Sequence, residues 1–206
     1  WGWGASAKAY KTFEEDRDAG AHDGRGQGGE LQVTASTYTS PVFDALIGAF
    51  QSAGMPWLDD ITIPNATGVG RSQYTVNRMG QRESAYEAFV KPIKSRANLT
   101  IRTYCQVKKV LLDGRRATGI VCDENGAETT YHGREVILSA GVYGSPHLLQ
   151  LSGIGGGEAL KSAGIEVLHD LPAVGQNFAD HQKFGVSFDL TGHPGTNREF
   201  VGWRLY

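Results

Sequence analysis

Two turn signals within one β-rich segment constrain the fold of this 206-residue chain more than any other feature. Asp113-Gly114 and Asn125-Gly126 are dipeptides typical of tight hairpin turns, and runs rich in β-branched and other apolar residues flank both of them. We therefore predict a three-stranded antiparallel meander, with strands at residues 105–112, 117–123 and 128–132.

The segment after the meander has the pattern of a strand, a turn and a helix. Glu135 to Leu138 is a short apolar run, which is typical of a strand buried on both faces of a parallel sheet. Small residues follow at Ala140-Gly141, and Ser145-Pro146 is a helix-start signal. Nucleotide cofactors bind where bare backbone lies at the carboxyl edge of such a sheet. An ordinary strand-turn-helix without a ligand explains the pattern equally well, so both interpretations stay open.

The first hundred residues alternate between helical and extended patterns. We predict a helix at residues 5–17, a loop at 18–29 and a strand at Leu31–Ala35. Ser40 is the expected N-cap of a second helix, with Pro41 at its first position. Further along, we predict a strand at Ser72–Val76 and a helix at Glu83–Val90. Together with the meander, these elements predict a mixed α/β fold.

Composition excludes several classes of protein. The net charge of -2 leaves no basic surface for nucleic acid, and no apolar run approaches the roughly 20 residues that span a bilayer. The two cysteines, Cys105 and Cys122, match no metal-ligand spacing and no disulfide framework, so we expect both to be small buried apolar residues. The six histidines show no ligand spacing either, and a metal site is unsupported.

One glycine-rich stretch imitates a dinucleotide-binding motif. Residues 24–29, GRGQGG, satisfy the spacing G-x-G-x-x-G. That motif binds a pyrophosphate only when a strand precedes it and a helix follows, whereas here a polar loop precedes and a strand at Leu31 follows. We predict a surface turn at this place.

Five segments, in order along the chain, resemble the glucose-methanol-choline (GMC) oxidoreductases. AGVYGSPHLLQLSGIG at residues 140–155 resembles the second signature of that family, and LPAVGQNFADH at 171–181 resembles its L-P-G-V-G-x-N-L-x-D-H segment. Residues 96–114 resemble its R-x-N-L-x-I and V-x-x-V-L-x-D-G run, 80–89 its G-x-R-x-S helix start, and 1–10 its W-x-W segment. Two positions depart from the family pattern, Val142 and Ala173, where a small residue and a glycine are usual.

The resemblance implies an FAD-dependent enzyme that oxidises the CH–OH group of a small alcohol by hydride transfer to flavin. Residues 1–181 would then form part of the FAD-binding region, and 182–206 would begin an antiparallel substrate domain, with a strand at 182–190. No nucleic-acid partner and no membrane span are expected in this segment, and the oligomeric state stays open. The motifs resemble choline-dehydrogenase-like and insect glucose-dehydrogenase-like members equally.

The resemblance also implies a set of cofactor contacts. In such enzymes the strand bearing Val107 lies near the FAD adenine, and the turn at Ala140 and Gly141 lies beside the ADP half. The segment from Asn177 to His181 runs close to the flavin. A structural turn that Asn177 and Asp180 cap with their own side chains is an alternative for that last segment.

The catalytic groups of the family have no counterpart in these residues. In that family the G-x-G-x-x-G unit belongs upstream of Trp1 and the catalytic histidine downstream of Tyr206. We therefore do not assign His181 as the catalytic base. Both ends of the sequence resemble cuts through ordered structure, and we expect a piece of a longer protein. We predict that the piece alone neither binds FAD tightly nor oxidises alcohols.

Two other functions stay open on the same fold. Some relatives in the family bind FAD but cleave cyanohydrins as lyases, and a flavin-less descendant would act as a binding module. A nicotinamide-only dehydrogenase is disfavoured, because the meander fits the flavoprotein plan better. Localisation is open as well. The sequons at Asn65 and Asn98 would carry glycans in a secreted protein, but so short a pattern also occurs by chance.

Overall fold

The computed structural model describes residues 2–18, 24–187 and 191–192. These divide into two compact units, one with the described residues up to Thr100 and from Ser187 on, the other running from Ile101 to Val186. The boundary expected between residues 181 and 182 concerns the division into larger domains, and it stays a prediction.

The first unit combines two helices, three short strands and two short helical turns among its described residues. In chain order they are α1 (Trp3–Phe13), β1 (Glu14–Asp16), β2 (Leu31–Ala35), α2 (Pro41–Ser52), β3 (Gln73–Tyr74), a π-helical turn (Tyr86–Val90) and a 3-10 turn (Lys91–Ile93). Strand β2 is central, since β1 pairs with it in parallel and β3 in antiparallel orientation. The aromatic rings of Phe13 and Phe89 meet edge to face at 6.0 Å.

Local signals account for the two best-predicted elements of this unit. Strand β2 has the predicted bounds, and α2 begins at Pro41 with the Ser40 hydroxyl accepting a hydrogen bond from the Val42 amide at 3.4 Å. Helix α1 ends at Phe13, however, where the prediction extended it to residue 17. The chain turns into β1 because its backbone groups find partners on β2.

The glycine-rich stretch at residues 24–29 holds the most buried ion cluster of this unit. Strand β2 follows it, as predicted, but its centre is no surface turn, because the Arg25 side chain is only 6% exposed. The guanidinium lies 2.7 Å from a Glu14 carboxylate oxygen, 3.1 Å from Asp16 and 3.2 Å from Asp60. It also donates to Gln73 on β3 at 2.6 Å. Arg25 thereby ties β1, β3 and the segment around Asp60 together.

The second unit contains the meander and two helices. Its elements are β4 (Cys105–Asp113), β5 (Arg116–Glu124), β6 (Ala127–His132), α3 (Gly141–Leu151), β7 (Ile154–Gly155), α4 (Gly157–Ser162) and β8 (His169–Asp170). The order β4-β5-β6 is antiparallel throughout, which confirms the predicted meander. At the second turn Asn125 and Gly126 both adopt positive φ, 56° and 87°, the geometry that an Asn-Gly hairpin requires.

A buried serine joins α3 to the edge of the meander. The Ser152 hydroxyl accepts from the Val110 amide at 2.8 Å and donates to the Leu148 carbonyl at 2.6 Å. Strand β4 therefore has one of its edge amides satisfied by the segment that follows α3. Directly after it, the Gly153 carbonyl accepts from the amides of Leu168 and His169, so β8 lies parallel to β7.

Three predictions in this part of the chain are wrong. Residues 135–138 are not a buried strand: they pair with no strand among the described residues, and Ile137 is 80% exposed. Helix α3 begins at Gly141 and contains Pro146, whereas the prediction placed its start at Ser145-Pro146. The strand expected at 182–190 has no regular structure over 182–187, and 188–190 lie outside the described residues.

Two further predicted elements are present but shorter than expected. The strand expected at Ser72–Val76 is confined to Gln73–Tyr74, with a single bridge between Val76 and Arg82 beyond it. The helix expected at Glu83–Val90 is present as the π-helical turn. Within the described parts of the chain, no helix has the length and apolar character needed to cross a membrane.

Candidate functional site

A cavity of about 600 Å³ opens in the second unit between the meander and α3. Strands β4 and β5 contribute Cys105, Gln106, Val107, Gly119 and Ile120 to its lining. The remaining wall consists of Tyr131–Gly133, Glu135–Ala140, Gly144, His147, Leu148 and Leu151. Glycine, alanine and aliphatic residues dominate, which is typical of pockets that bind small organic molecules.

Helical periodicity explains which residues α3 presents to this cavity. Ala140, Gly144, His147, Leu148 and Leu151 are spaced by three and four residues, so they share one face of the helix. Small residues stand at the N-terminal end of that face and leucines at the other end. The Ala140 amide donates to the Ser145 hydroxyl at 3.0 Å, and Gly141 has a φ of +81°, a conformation that favours glycine.

The polar groups beside the cavity are held in defined states. A hydrogen bond with Cys105, together with burial, raises the pKa of the Cys122 thiol to about 11, so Cys122 is a protonated thiol at neutral pH. Cys122 is fully buried as predicted, while Cys105 is half-buried and lines the cavity. The hydrogen bond that Tyr131 donates to Glu124 at 2.8 Å raises the pKa of the tyrosine.

A second cavity of about 680 Å³ lies on the neighbouring face of α3. Residues Gly175–Ala179 form one wall, and α3 contributes Val142, Tyr143, Pro146, His147 and Gln150. The rings of Tyr143 and Phe178 lie 5.3 Å apart across it. The His147 side chain lines both cavities.

The structure divides the five predicted cofactor contacts among different places. Val107 and Ala140 line the first cavity, and Gly141 follows Ala140 without being part of its wall. Asn177 lines the second cavity with a φ of +57°, and His181 lines neither. The backbone amide of His181 instead donates a hydrogen bond to the Asp180 carboxylate at 2.8 Å.

Sequence reasoning missed His147 and Cys105 as lining residues. The three- and four-residue spacing from Ala140 to Leu151 was a readable signal for His147, but the misplaced helix start concealed it. Cys105 gave no such signal, because its position depends on the register that pairs β4 with β5. No cluster of three or more potential metal ligands occurs among the described side chains.

A family model described as GMC oxidoreductase matches residues 1–183 of the chain. The chain belongs to the GMC oxidoreductase family. This confirms the resemblance drawn from the motifs. Among curated GMC relatives, the oxygen-dependent choline dehydrogenase of Paraburkholderia phymatum is 39% identical over 182 residues, which is 87% of the chain and 32% of that relative. The oxygen-dependent choline dehydrogenase of Staphylococcus aureus (strain MSSA476) is 38% identical over 88% of the chain and 32% of the relative.

Solved structures support the predicted fold class. A pyridoxine 4-oxidase from Mesorbium loti superposes with a TM-score of 0.77 at 30% identity, covering 84% of the chain and 34% of the oxidase. An FAD-dependent oxidoreductase from Chaetomium thermophilum gives a TM-score of 0.79 at 26% identity, covering 85% and 33%. The chain thus spans about a third of the length of the relatives and structures that it matches.

Proposed function

We propose that the protein is an FAD-dependent oxidoreductase that oxidises the CH–OH group of a small alcohol. Membership of the GMC family carries this proposal, since the match extends over residues 1–183. The relatives named as choline dehydrogenases and the structure named as an FAD-dependent oxidoreductase point to the same chemistry. When bound, FAD supplies the hydride-accepting chemistry of such a reaction.

The first cavity fits the uncharged part of this cofactor. Its volume of about 600 Å³ falls within the range of about 300–1,000 Å³ that small-molecule pockets occupy. Gly144 and Ala140 contribute small residues to the wall from the α3 side, and Val107 adds an apolar residue from β4. All residues of this wall lie in the described part of the chain, and Glu135 is the only aspartate or glutamate among them. Its carboxylate can accept hydrogen bonds from hydroxyl or amino groups.

The role of the chain's own residues in this proposal is to bind and orient. Val107 and Ala140 form part of the surface against which a planar ring system would pack, with Gly141 directly after that wall, and apolar neighbours such as Leu148 keep water away from it. Asn177 would contact the cofactor from the second cavity, through an amide that both donates and accepts. His181 belongs to the same segment, but it is exposed beside Asp180, so its position supports a cofactor contact less than that of Asn177 does.

Flavin spectroscopy on the full-length protein tests this function. We expect the purified protein to contain FAD and its visible flavin absorbance to bleach anaerobically when a small alcohol such as choline is added. Tetramethylammonium, which lacks the hydroxyl group, is the matched control and should leave the flavin oxidised. A protein that takes up no FAD even on reconstitution would contradict the proposal. Turnover of a cyanohydrin with the flavin still oxidised would favour the lyase alternative instead.

A further inference from the structure

A third cavity, of about 660 Å³, lies within the first unit and shares no lining residue with the two cavities described above. The end of β2, the segment that follows it, and the residues around β3 form its walls. Two arginines, Arg17 and Arg78, line it together with Thr37, Tyr74 and Asn77. The lining includes no aspartate or glutamate, and all of it lies in the described part of the chain.

Arg17 carries a polar group that the described residues leave unsatisfied. The Nε atom is buried and has no hydrogen-bond partner among the described residues. The backbone amide of Arg17 donates to the Val33 carbonyl at 3.1 Å, which fixes the residue beside β2. Buried donors usually have partners, because leaving one without a partner costs about 1–3 kcal/mol. A buried guanidinium donor at the cavity wall without an acceptor among the described residues makes this cavity a candidate anion site.

The carboxylates near this cavity are already engaged. Asp16, the residue before Arg17, lies 3.1 Å from the Arg25 guanidinium. The Asp18 carboxylate accepts from the Ala35 amide on β2. Neither Arg17 nor Arg78 forms an ion pair with a described residue, so the cavity keeps an excess of positive charge.

The uncharged groups in the wall add donors and an apolar surface. The hydroxyl groups of Thr37 and Tyr74 can both donate, and half of the Tyr74 side chain is exposed. The Asn77 carboxamide is partly used, since its oxygen accepts from the amides of Met79 and Gln81. Guanidinium groups recognise carboxylate and phosphate oxygens through paired, charge-assisted hydrogen bonds.

We propose that this cavity binds a small organic oxyanion through Arg17 and Arg78. Its volume exceeds what a bare inorganic anion fills, so the occupant is a carboxylate or phosphate ester of roughly sugar size, whose ring or chain lies against Tyr74. None of its lining residues lines the proposed flavin cavity.

Calorimetric titration of the full-length protein with inorganic phosphate and with succinate tests the proposal. Excess FAD occupies the flavin cavity, and sodium chloride holds the ionic strength constant. We expect at least one probe to bind with a millimolar or lower Kd. The substitutions Arg17→Gln and Arg78→Gln should each raise that Kd at least about tenfold. Binding of phosphate alone indicates a phosphate ester as the natural ligand, and binding of succinate alone indicates a carboxylate.

Arg115→Gln is the matched control, since Arg115 is an exposed arginine in the turn between β4 and β5 of the other unit. Its Kd should equal that of the wild type. Arg78 is exposed, so Arg78→Gln remains decisive if Arg17→Gln fails to fold. Absence of binding by both probes, or binding that neither Arg17→Gln nor Arg78→Gln weakens, would overturn the proposal.

Discussion

Arg25→Met is expected to lower the free energy of unfolding by about 3–5 kcal/mol, since removing one partner from a buried ion cluster leaves uncompensated charge behind. The Arg25 side chain is 6% exposed and Asp16 is fully buried. Without the guanidinium, the carboxylates of Glu14 and Asp16, which share one face of strand β1, lose the cation that lies between them. Methionine keeps most of the aliphatic volume, so the loss reports mainly on charge.

Urea unfolding followed by circular dichroism measures this effect. Arg71→Met is the matched control, because Arg71 pairs with a single carboxylate, Asp44, at 3.6 Å, and the two side chains are 32% and 60% exposed. Exposed pairs of this kind contribute about 0–1 kcal/mol. Arg71 also donates to the Tyr38 carbonyl at 2.7 Å, and that neutral hydrogen bond contributes about 1 kcal/mol at most. Equal losses for the two variants would show that the cluster around Arg25 is no more important than a surface ion pair.

Gly153→Ala is expected to destabilise the second unit by about 2–4 kcal/mol, which combines backbone strain with steric overlap. Gly153 has a φ of +80°, and a Cβ there would lie 2.6 Å from the Glu166 carbonyl oxygen and 2.8 Å from Leu168 Cγ. That oxygen belongs to backbone held near β8, since the Gly153 carbonyl accepts from Leu168 and His169. The clash can therefore be relieved only by separating β7 from β8.

Gly164→Ala isolates the steric part of this effect. Gly164 has a similar φ of +73°, but a Cβ there would have nothing within 4 Å. We expect this variant to cost only the left-handed backbone strain, about 1–2 kcal/mol. Thermal unfolding of both variants gives the comparison, and identical midpoints would contradict the close approach at Gly153.

Elements specified by neighbouring residues were predictable from the sequence. Ser40 as N-cap and Pro41 as the first helical residue define the start of α2, and the turn at Asn125-Gly126 defines the hairpin between β5 and β6. In both cases the capping or turn residue fixes the local backbone by its own chemistry. The GMC motifs added the family, which no periodicity could have given.

Elements that depend on distant partners were not predictable. Residues 135–138 have the composition of a buried strand, but a strand exists only where another supplies backbone hydrogen bonds, and no described residue does so. The burial of Arg25 depends on Asp60 and Gln73, which lie 35 and 48 positions away. A pattern of nearby glycines carries no information about such partners.

The candidate site shows the same division. The resemblance implied that Val107 and Ala140 contact FAD, and this stays a prediction, although both residues line the first cavity. His147 could have been predicted as a lining residue from helical spacing. Cys105 could not, because the register between β4 and β5 brings it to the cavity wall.

Hydrogen–deuterium exchange of the full-length protein, with and without bound FAD, tests the central claim most directly. We predict that FAD slows exchange at least about tenfold in peptides covering residues 105–107 and 135–141, the backbone of the proposed flavin cavity. Peptides from α2 (Pro41–Ser52), in the other unit, are the internal reference and should change far less. Bound FAD that leaves exchange at 105–107 and 135–141 unaltered would contradict the assignment of this cavity.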